Sequence, residues 1–244
     1  MANRCEPTPG LPTPSAPVPS LPLPGVADVV ARMADLSAGL PTRDGVRAFN
    51  DMYLTTTREV ARALGEHRFL DREFMDRLDV NFADLYFEAL AAYDCDPASA
   101  PRCWSALIAA RERTGASPLQ FALAGMNAHI GYDLPRALVA TTLEFGGDLG
   151  HAGRRADFVT INEILASTQP IVKQALLVGL LDELDDVLGE VDDRIGVWAI
   201  EQAREVAWGS AHALWALRGT RAQRLYEQGM DRVVEFSSRG LLSL

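Results

Sequence analysis

Apolar side chains recur at helical spacing through most of the chain after Gly25, beginning with the stripe Val26, Val29, Val30, Met33 and Leu36. Such spacing puts the apolar residues on one face of a helix, so each stripe predicts a helix that faces a core. The stripes predict helices at about 26–36, 45–65, 71–93, 104–113, 117–145, 157–188 with an interruption near Pro170, and 192–217, and a more polar helix beyond Arg218. No alternating strand pattern between tight turns stands out. The sequence therefore predicts an all-α, single-domain bundle of about seven to nine helices.

The first 24 residues differ in composition from the rest. Prolines recur every two or three residues from Pro7 to Pro24, and proline has no backbone N–H to contribute to a regular ladder. We expect residues 1–24 to form an extended or disordered tail and residues 25–244 to form the helical domain. A leader without function is a more common reason for such a tail than a docking motif for an aromatic groove.

Charge and cysteine content narrow the partners and the compartment. The net charge of -10 leaves no basic surface to neutralise phosphates, so nucleic acid is not an expected partner. The sequence has neither a secretory signal nor a long uncharged apolar stretch, so we expect no membrane contact. Cys5, Cys95 and Cys103 lack the paired spacing of a zinc site or a disulfide framework. We expect a cytoplasmic protein whose partner is a small molecule.

The segment Gly125–Pro135, GMNAHIGYDLP, places polar and ionisable residues inside an otherwise apolar helix. His129 and Asp133 are four residues apart, which puts them about 40° apart on one helix face. Pro135 removes a backbone donor and restricts the residue before it, so we predict a kink at 131–135. Asn127 lies about 200° from His129, on the side that carries Gln120, and faces the same site only if the kink turns it inward.

Three interpretations of the His129 and Asp133 pair are open. The pair can be a structural hydrogen bond, an acid–base pair in which Asp133 orients His129, or two ligands of a metal ion. A metal needs further ligands, and the best placed carboxylates are Asp79, Glu163 and Glu205. The cofactor is therefore either none or one divalent metal. No HExxH motif and no Glu-x-x-His pair is present.

Other polar residues lie among apolar ones and are candidates for substrate binding. Each of them is individually more typical of a packing or capping hydrogen bond. Arg204 and Trp208, at i and i+4, also permit a cation–π contact, and Arg204 suits an anionic group. The candidate substrate-binding residues are Asn50, Tyr53, Tyr86, Gln120, Asn127, Asn162, Arg204 and Trp208.

Two resemblances bear on this site. The residues that carry the first are Phe49-Asn50 with Tyr53, Leu78-Asp79 with Phe82-Ala83 and Tyr86, Gln120, the segment 125–130 with Asp133-Leu134-Pro135, Asn162-Glu163-Ile164-Leu165, and Ala203-Arg204-Glu205 with Ala207-Trp208. With this pattern, residues 26–218 resemble an actinobacterial family of uncharacterised helical proteins, a domain of unknown function. That resemblance implies a shared site and no particular reaction.

The second resemblance is local. His129, Asp133 and Pro135 are similar to an element of the zinc-dependent phospholipase C and single-strand nuclease group. Those all-helical enzymes use many histidines and an N-terminal tryptophan, whereas this chain has four scattered histidines and a proline-rich start. The resemblance therefore does not extend to a trinuclear zinc site.

The leading hypothesis from the sequence is a small-molecule enzyme, a hydrolase, lyase or cyclase of secondary metabolism. His129 is its acid–base residue and Asp133 its orienting partner, in a pocket between helices. One alternative is a metal-dependent hydrolase with His129 and Asp133 as ligands. The other is a non-catalytic binding or interaction module.

Overall fold

The computed structural model describes residues 24–178 and 193–243, with side chains for 24–168 and 200–243. The described residues contain no strand and confirm the all-α prediction. Because α5, a π turn and α6 form one continuous rod, the described part has eight helices, within the predicted seven to nine. The elements are α1 (Val26–Gly39), α2 (Gly45–Gly65), α3 (Arg72–Cys95), α4 (Arg102–Ala110), α5 (Pro118–Ala128), the π turn (His129–Asp133), α6 (Leu134–Glu144), α7 (Ala152–Val178), α8 (Asp193–Leu217) and α9 (Arg221–Leu241).

Two helices begin close to the predicted positions and are capped by side chains. The Asp44 carboxylate accepts hydrogen bonds from the first backbone N–H groups of α2. Ser117 and Gln120 form a capping box at the start of α5, with Pro118 as its first residue. These caps satisfy backbone donors that a helix leaves unpaired, which explains why both starts could be predicted.

The prediction for α7 was wrong at two points. The helix begins at Ala152, five residues before the predicted start at residue 157, and it continues through Pro170. The buried Asp157 carboxylate accepts from the backbone N–H groups of Leu70 and Asp71 at 2.8 and 2.7 Å. Asp157 therefore holds the residues just before α3 in place, although it lies far from them in the sequence. The helical stretch expected at 181–188 lies outside the described residues, as do residues 1–23 of the tail.

The rod formed by α5, the π turn and α6 lies at the centre of the bundle. α5 packs on α2 and α9, and α6 packs on α3 and α8. At Gly125, an added Cβ would lie 2.4 Å from the Phe49 ring, so only glycine lets α2 approach α5 this closely. None of the helices in the described part of the chain is long and apolar enough to cross a membrane.

The predicted kink is a π turn. The backbone N–H of Leu134 donates to the carbonyl of His129, five residues back instead of four. Pro135 follows as the second residue of α6, where its missing N–H removes no bond that an ideal first turn would make. An added Cβ at Gly131 would lie 2.9 Å from Val234 of α9. The π turn thus accommodates the proline while α9 packs tightly against it.

Candidate functional site

His129 and Asp133, at the two ends of the π turn, form a buried hydrogen-bonded pair. The distance from His129 Nδ1 to Asp133 Oδ2 is 2.9 Å. Trp104 Nε1 donates to the same carboxylate oxygen at 2.8 Å. Only 3% of His129 and none of Asp133 is exposed to solvent. Because the carboxylate accepts from both partners, we assign the imidazole proton to Nδ1.

This assignment leaves His129 Nε2 as an unprotonated acceptor. Burial lowers the pKa of His129, although the hydrogen bond and the charge of Asp133 oppose that effect. The imidazole is therefore neutral near pH 7. Nε2 is buried and has no hydrogen-bond partner in the part of the chain that the structure describes.

Aromatic rings hold the His129 imidazole in one orientation. Phe82 stacks on it with the ring centroids 3.5 Å apart and the planes 6° from parallel. The Tyr53 ring lies against it at 4.5 Å, with the planes at 64°. The ring centroids of Phe49 and Trp104 lie 5.8 and 5.9 Å from that of His129. The ring has little freedom to turn, so the direction of Nε2 is set by packing and by Asp133 together.

A cavity of about 140 Å³ lies next to His129, between the central rod and helices α2, α3, α7 and α8. Most of its described lining is apolar, from Phe, Met, Leu, Ile and Val side chains. The polar residues in the lining are Tyr53, Thr56, Thr57, Asp79, His129, Thr168 and Arg204.

Four of these polar residues have a buried atom that lacks a partner among residues 24–168 and 200–243. The atoms are Tyr53 Oη, Thr57 Oγ1, Asp79 Oδ2 and His129 Nε2. A buried polar group without a hydrogen bond costs about 1–3 kcal/mol, so native proteins rarely leave one unsatisfied. All four belong to residues that line the cavity, which makes them candidates for hydrogen bonds with a bound ligand.

Burial raises the pKa of both Tyr53 and Asp79. Burial and the nearby carboxyls of Asp79 and Asp133 raise the pKa of Tyr53 well above its ordinary value, although the neighbouring Thr57 hydroxyl opposes that effect. Burial, with a smaller effect from Asp76, raises the pKa of Asp79 to about 7. The cavity therefore has a hydroxyl donor, and a carboxyl that gains or loses a proton near neutral pH, beside the acceptor Nε2.

Arg204 lines the cavity on the side of α8. Its Nε donates to Asn162 Oδ1 at 2.7 Å and its Nη2 donates to the Phe158 carbonyl at 2.8 Å. Burial lowers the pKa of Arg204 to about 9, so it is still cationic at neutral pH. The anticipated contact with Trp208 was wrong, since Arg204 lies over the Phe158 ring at 4.1 Å while Arg155 covers Trp208.

Six of the predicted binding residues do not line the cavity. Asn50 bonds the Met33 carbonyl and Ser37, and accepts from Tyr86. Gln120 and Asn127 donate to carbonyls of α9, at Leu241 and Val234. The π turn does not rotate α5, so Asn127 keeps the opposite direction from His129. Asn162 accepts a hydrogen bond from Arg204, and Trp208 packs on Phe158 with the ring centroids 4.7 Å apart.

The structure does not gather the predicted metal ligands. Glu163 is exposed and pairs with Arg68 at 3.1 Å, and Glu205 pairs with Arg155 at 2.7 Å. Asp133 Oδ2 already accepts from His129 and Trp104. No group of three His, Cys, Asp or Glu side chains able to hold a metal occurs among the described residues. These residues do not fit the predicted metal site.

Two contributors to the site were not predicted. Thr57 lies four residues after Tyr53 on the same face of α2, a spacing that could have indicated it. Trp104 donates to Asp133 from 29 residues away, and no local pattern indicates such a contact. The stacking of Phe82 on His129 depends on how α3 packs against the rod, which no local pattern indicates.

Comparison with known proteins gives a family and no activity. The model of the family of unknown function DUF5995 matches residues 26–244. No curated protein and no solved structure matches the chain. The family match confirms the uncharacterised domain expected from the sequence and extends it through α9. The chain belongs to DUF5995, a family whose function is unknown.

Proposed function

We propose that the protein is a small-molecule enzyme in which His129 transfers a proton to and from a substrate bound in the cavity. The observation that carries this proposal is the unpartnered Nε2 of a neutral histidine, fixed by Asp133 and directed by packing at a cavity with other unpartnered polar atoms. A general base must be neutral, oriented and within reach of the substrate.

The roles follow from the protonation states. His129 Nε2 accepts a proton from substrate, and the Asp133 carboxylate stabilises the imidazolium that forms. Tyr53 donates a hydrogen bond to a developing oxyanion, because its high pKa keeps the phenol protonated. Asp79 returns a proton when it is in its neutral form. A hydrolase, lyase or cyclase would use these steps.

Solvent labelling tests the proposal without knowledge of the substrate. The purified protein is incubated with a metabolite extract in D₂¹⁸O, and mass spectrometry follows uptake of deuterium at carbon or of ¹⁸O. We expect a component that takes up label with the wild type and not with His129→Gln. No label above the His129→Gln background would refute the proposal, provided that the variant keeps a thermal midpoint within a few degrees of the wild type.

A non-catalytic binding protein is the second candidate, and the mostly apolar lining favours it. In that case the extract yields a component that binds and takes up no label. His129→Gln would then change affinity alone. Cytoplasmic location accompanies either proposal, because Cys95 and Cys103 are both free and a reducing compartment keeps them so.

A further inference from the structure

The cavity next to His129 restricts the size of its ligand. Its volume is about 140 Å³. An apolar cavity of about 150 Å³ in another protein binds benzene, so the space beside His129 suits one six-membered ring. The mainly apolar lining favours a hydrocarbon body of this size.

The unpartnered atoms restrict the polar group. His129 Nε2 can only accept, because the ring proton is on Nδ1, whereas Tyr53 Oη can donate. The Tyr53 ring packs against the His129 ring, and the nearby Asp79 carboxyl raises the pKa of the Tyr53 phenol. A ligand group that both donates and accepts satisfies these atoms together. A hydroxyl does so, and a carbonyl oxygen, which only accepts, leaves Nε2 unsatisfied.

The hydrogen-bonding pattern disfavours ionic ligands. A carboxylate would lie beside the buried Asp79 carboxyl and could not donate to Nε2. An ammonium group would share the cavity with the Arg204 guanidinium, which is already hydrogen-bonded to Asn162 and Phe158. A carboxylate could pair with the Arg204 cation but would leave Nε2 without a donor, and an ammonium group would leave the Tyr53 hydroxyl without an acceptor.

We infer that the cavity binds a neutral, single-ring molecule that carries a hydroxyl group, with the hydroxyl between His129 Nε2 and the Tyr53 phenol. The inference rests on the cavity of the proposed function and names the substrate class for it. The hydroxyl is then the group from which His129 takes a proton.

Four probes of similar size test the class: phenol, toluene, benzoate and benzylamine. Calorimetry or ligand-observed NMR measures their affinity for the full chain. We expect phenol to bind most tightly, roughly three- to tenfold better than toluene, which is the range of one or two net hydrogen bonds. Equal binding of toluene, or tighter binding of benzoate or benzylamine, would overturn the inference.

Variants locate the hydroxyl. Tyr53→Phe should reduce phenol affinity several-fold and leave toluene unchanged. Tyr226→Phe, the same change at a residue that does not line the cavity and bonds Ser210, is the matched control. Thr57→Val removes a neighbouring hydroxyl at similar volume and replaces Tyr53→Phe if that variant does not fold. Loss of phenol preference in Tyr226→Phe, or its retention in both cavity variants, contradicts the assignment.

The two proposals fail separately. Tyr53-dependent selection of phenol together with no label uptake from the extract supports the ligand class and refutes the acid–base function. His129-dependent labelling of a compound that has no ring or no hydroxyl refutes the ligand class and supports the function.

Discussion

Replacing Asp79 with asparagine should make the protein more stable relative to the wild type as the pH rises. Its Oδ2 is buried without a partner in the described part of the structure. Burial, and then Asp76, raises the pKa of this carboxyl from 3.8 to about 7. The folded state therefore holds the proton more tightly than the unfolded chain. The protonated Asp79 carboxyl therefore stabilises the fold fully below its ordinary pKa of 3.8, and this stabilisation is lost as the pH rises through about 7.

The size of this effect follows from the two pKa values. Each pH unit between them weakens folding by about 1.36 kcal/mol, so the loss approaches about 4 kcal/mol at most near pH 8. Part of the Asp79 side chain is exposed, which reduces the effect. We expect the stability of Asp79→Asn relative to the wild type to rise by about 2–4 kcal/mol between about pH 4 and pH 8.

Urea denaturation followed by circular dichroism, repeated across this pH range, measures the difference. The change with pH is the relevant quantity, since the asparagine amide can shift stability by a constant amount at every pH. Asp35→Asn makes the same substitution on the exposed side of α1 and should leave the pH dependence close to that of the wild type. Parallel curves for Asp79→Asn and the wild type would refute the assignment of a buried, protonated carboxyl.

Three further predictions concern the rod and the imidazole. Because burial lowers the pKa of His129, the wild type should lose stability as the pH falls below about 6.5, where the unfolded chain binds a proton more readily than the folded protein. His129→Asn should lack this loss. The same loss of stability in acid for the variant and the wild type, measured by urea denaturation, would contradict the lowered pKa. Gly125→Ala should destabilise by about 1–3 kcal/mol, since its methyl group would meet Phe49. In contrast, Gly209→Ala in α8, where no described atom would lie within 4 Å of the new methyl group, should stabilise by up to about 1 kcal/mol; equal thermal midpoints for these two alanine variants would contradict the close contact.

The helices and the central motif could be predicted because they depend on local chemistry. Asp44, Ser117 and Gln120 cap helices within a few residues of themselves, and Pro135 disturbs the turn that precedes it. Asp157 has the side chain of a cap and satisfies N–H groups of another segment, more than 80 residues away. Nothing in the local sequence distinguishes these two uses of an aspartate.

The site could be predicted in part. The spacing of four residues placed His129 and Asp133 together, and a turn of about 100° per residue put Asn127 on the opposite side of the helix. The contacts of Asn127, Gln120 and Trp104 could not be foreseen, because they depend on how α9 and α4 pack against the rod. The metal interpretation relied on carboxylates such as Glu163, whose exposed position is a property of the assembled bundle.

The proposed function depends on an unprotonated His129 Nε2 that faces the cavity at neutral pH. Long-range ¹H–¹⁵N NMR correlation of the full chain at about pH 7, with His129→Gln to assign the signal among the four histidines, tests it directly. We expect a neutral ring with its proton on Nδ1 and a pyridine-type Nε2 whose signal shifts when phenol is added. A protonated Nε2, or an Nε2 signal that does not respond to saturating phenol, would contradict it.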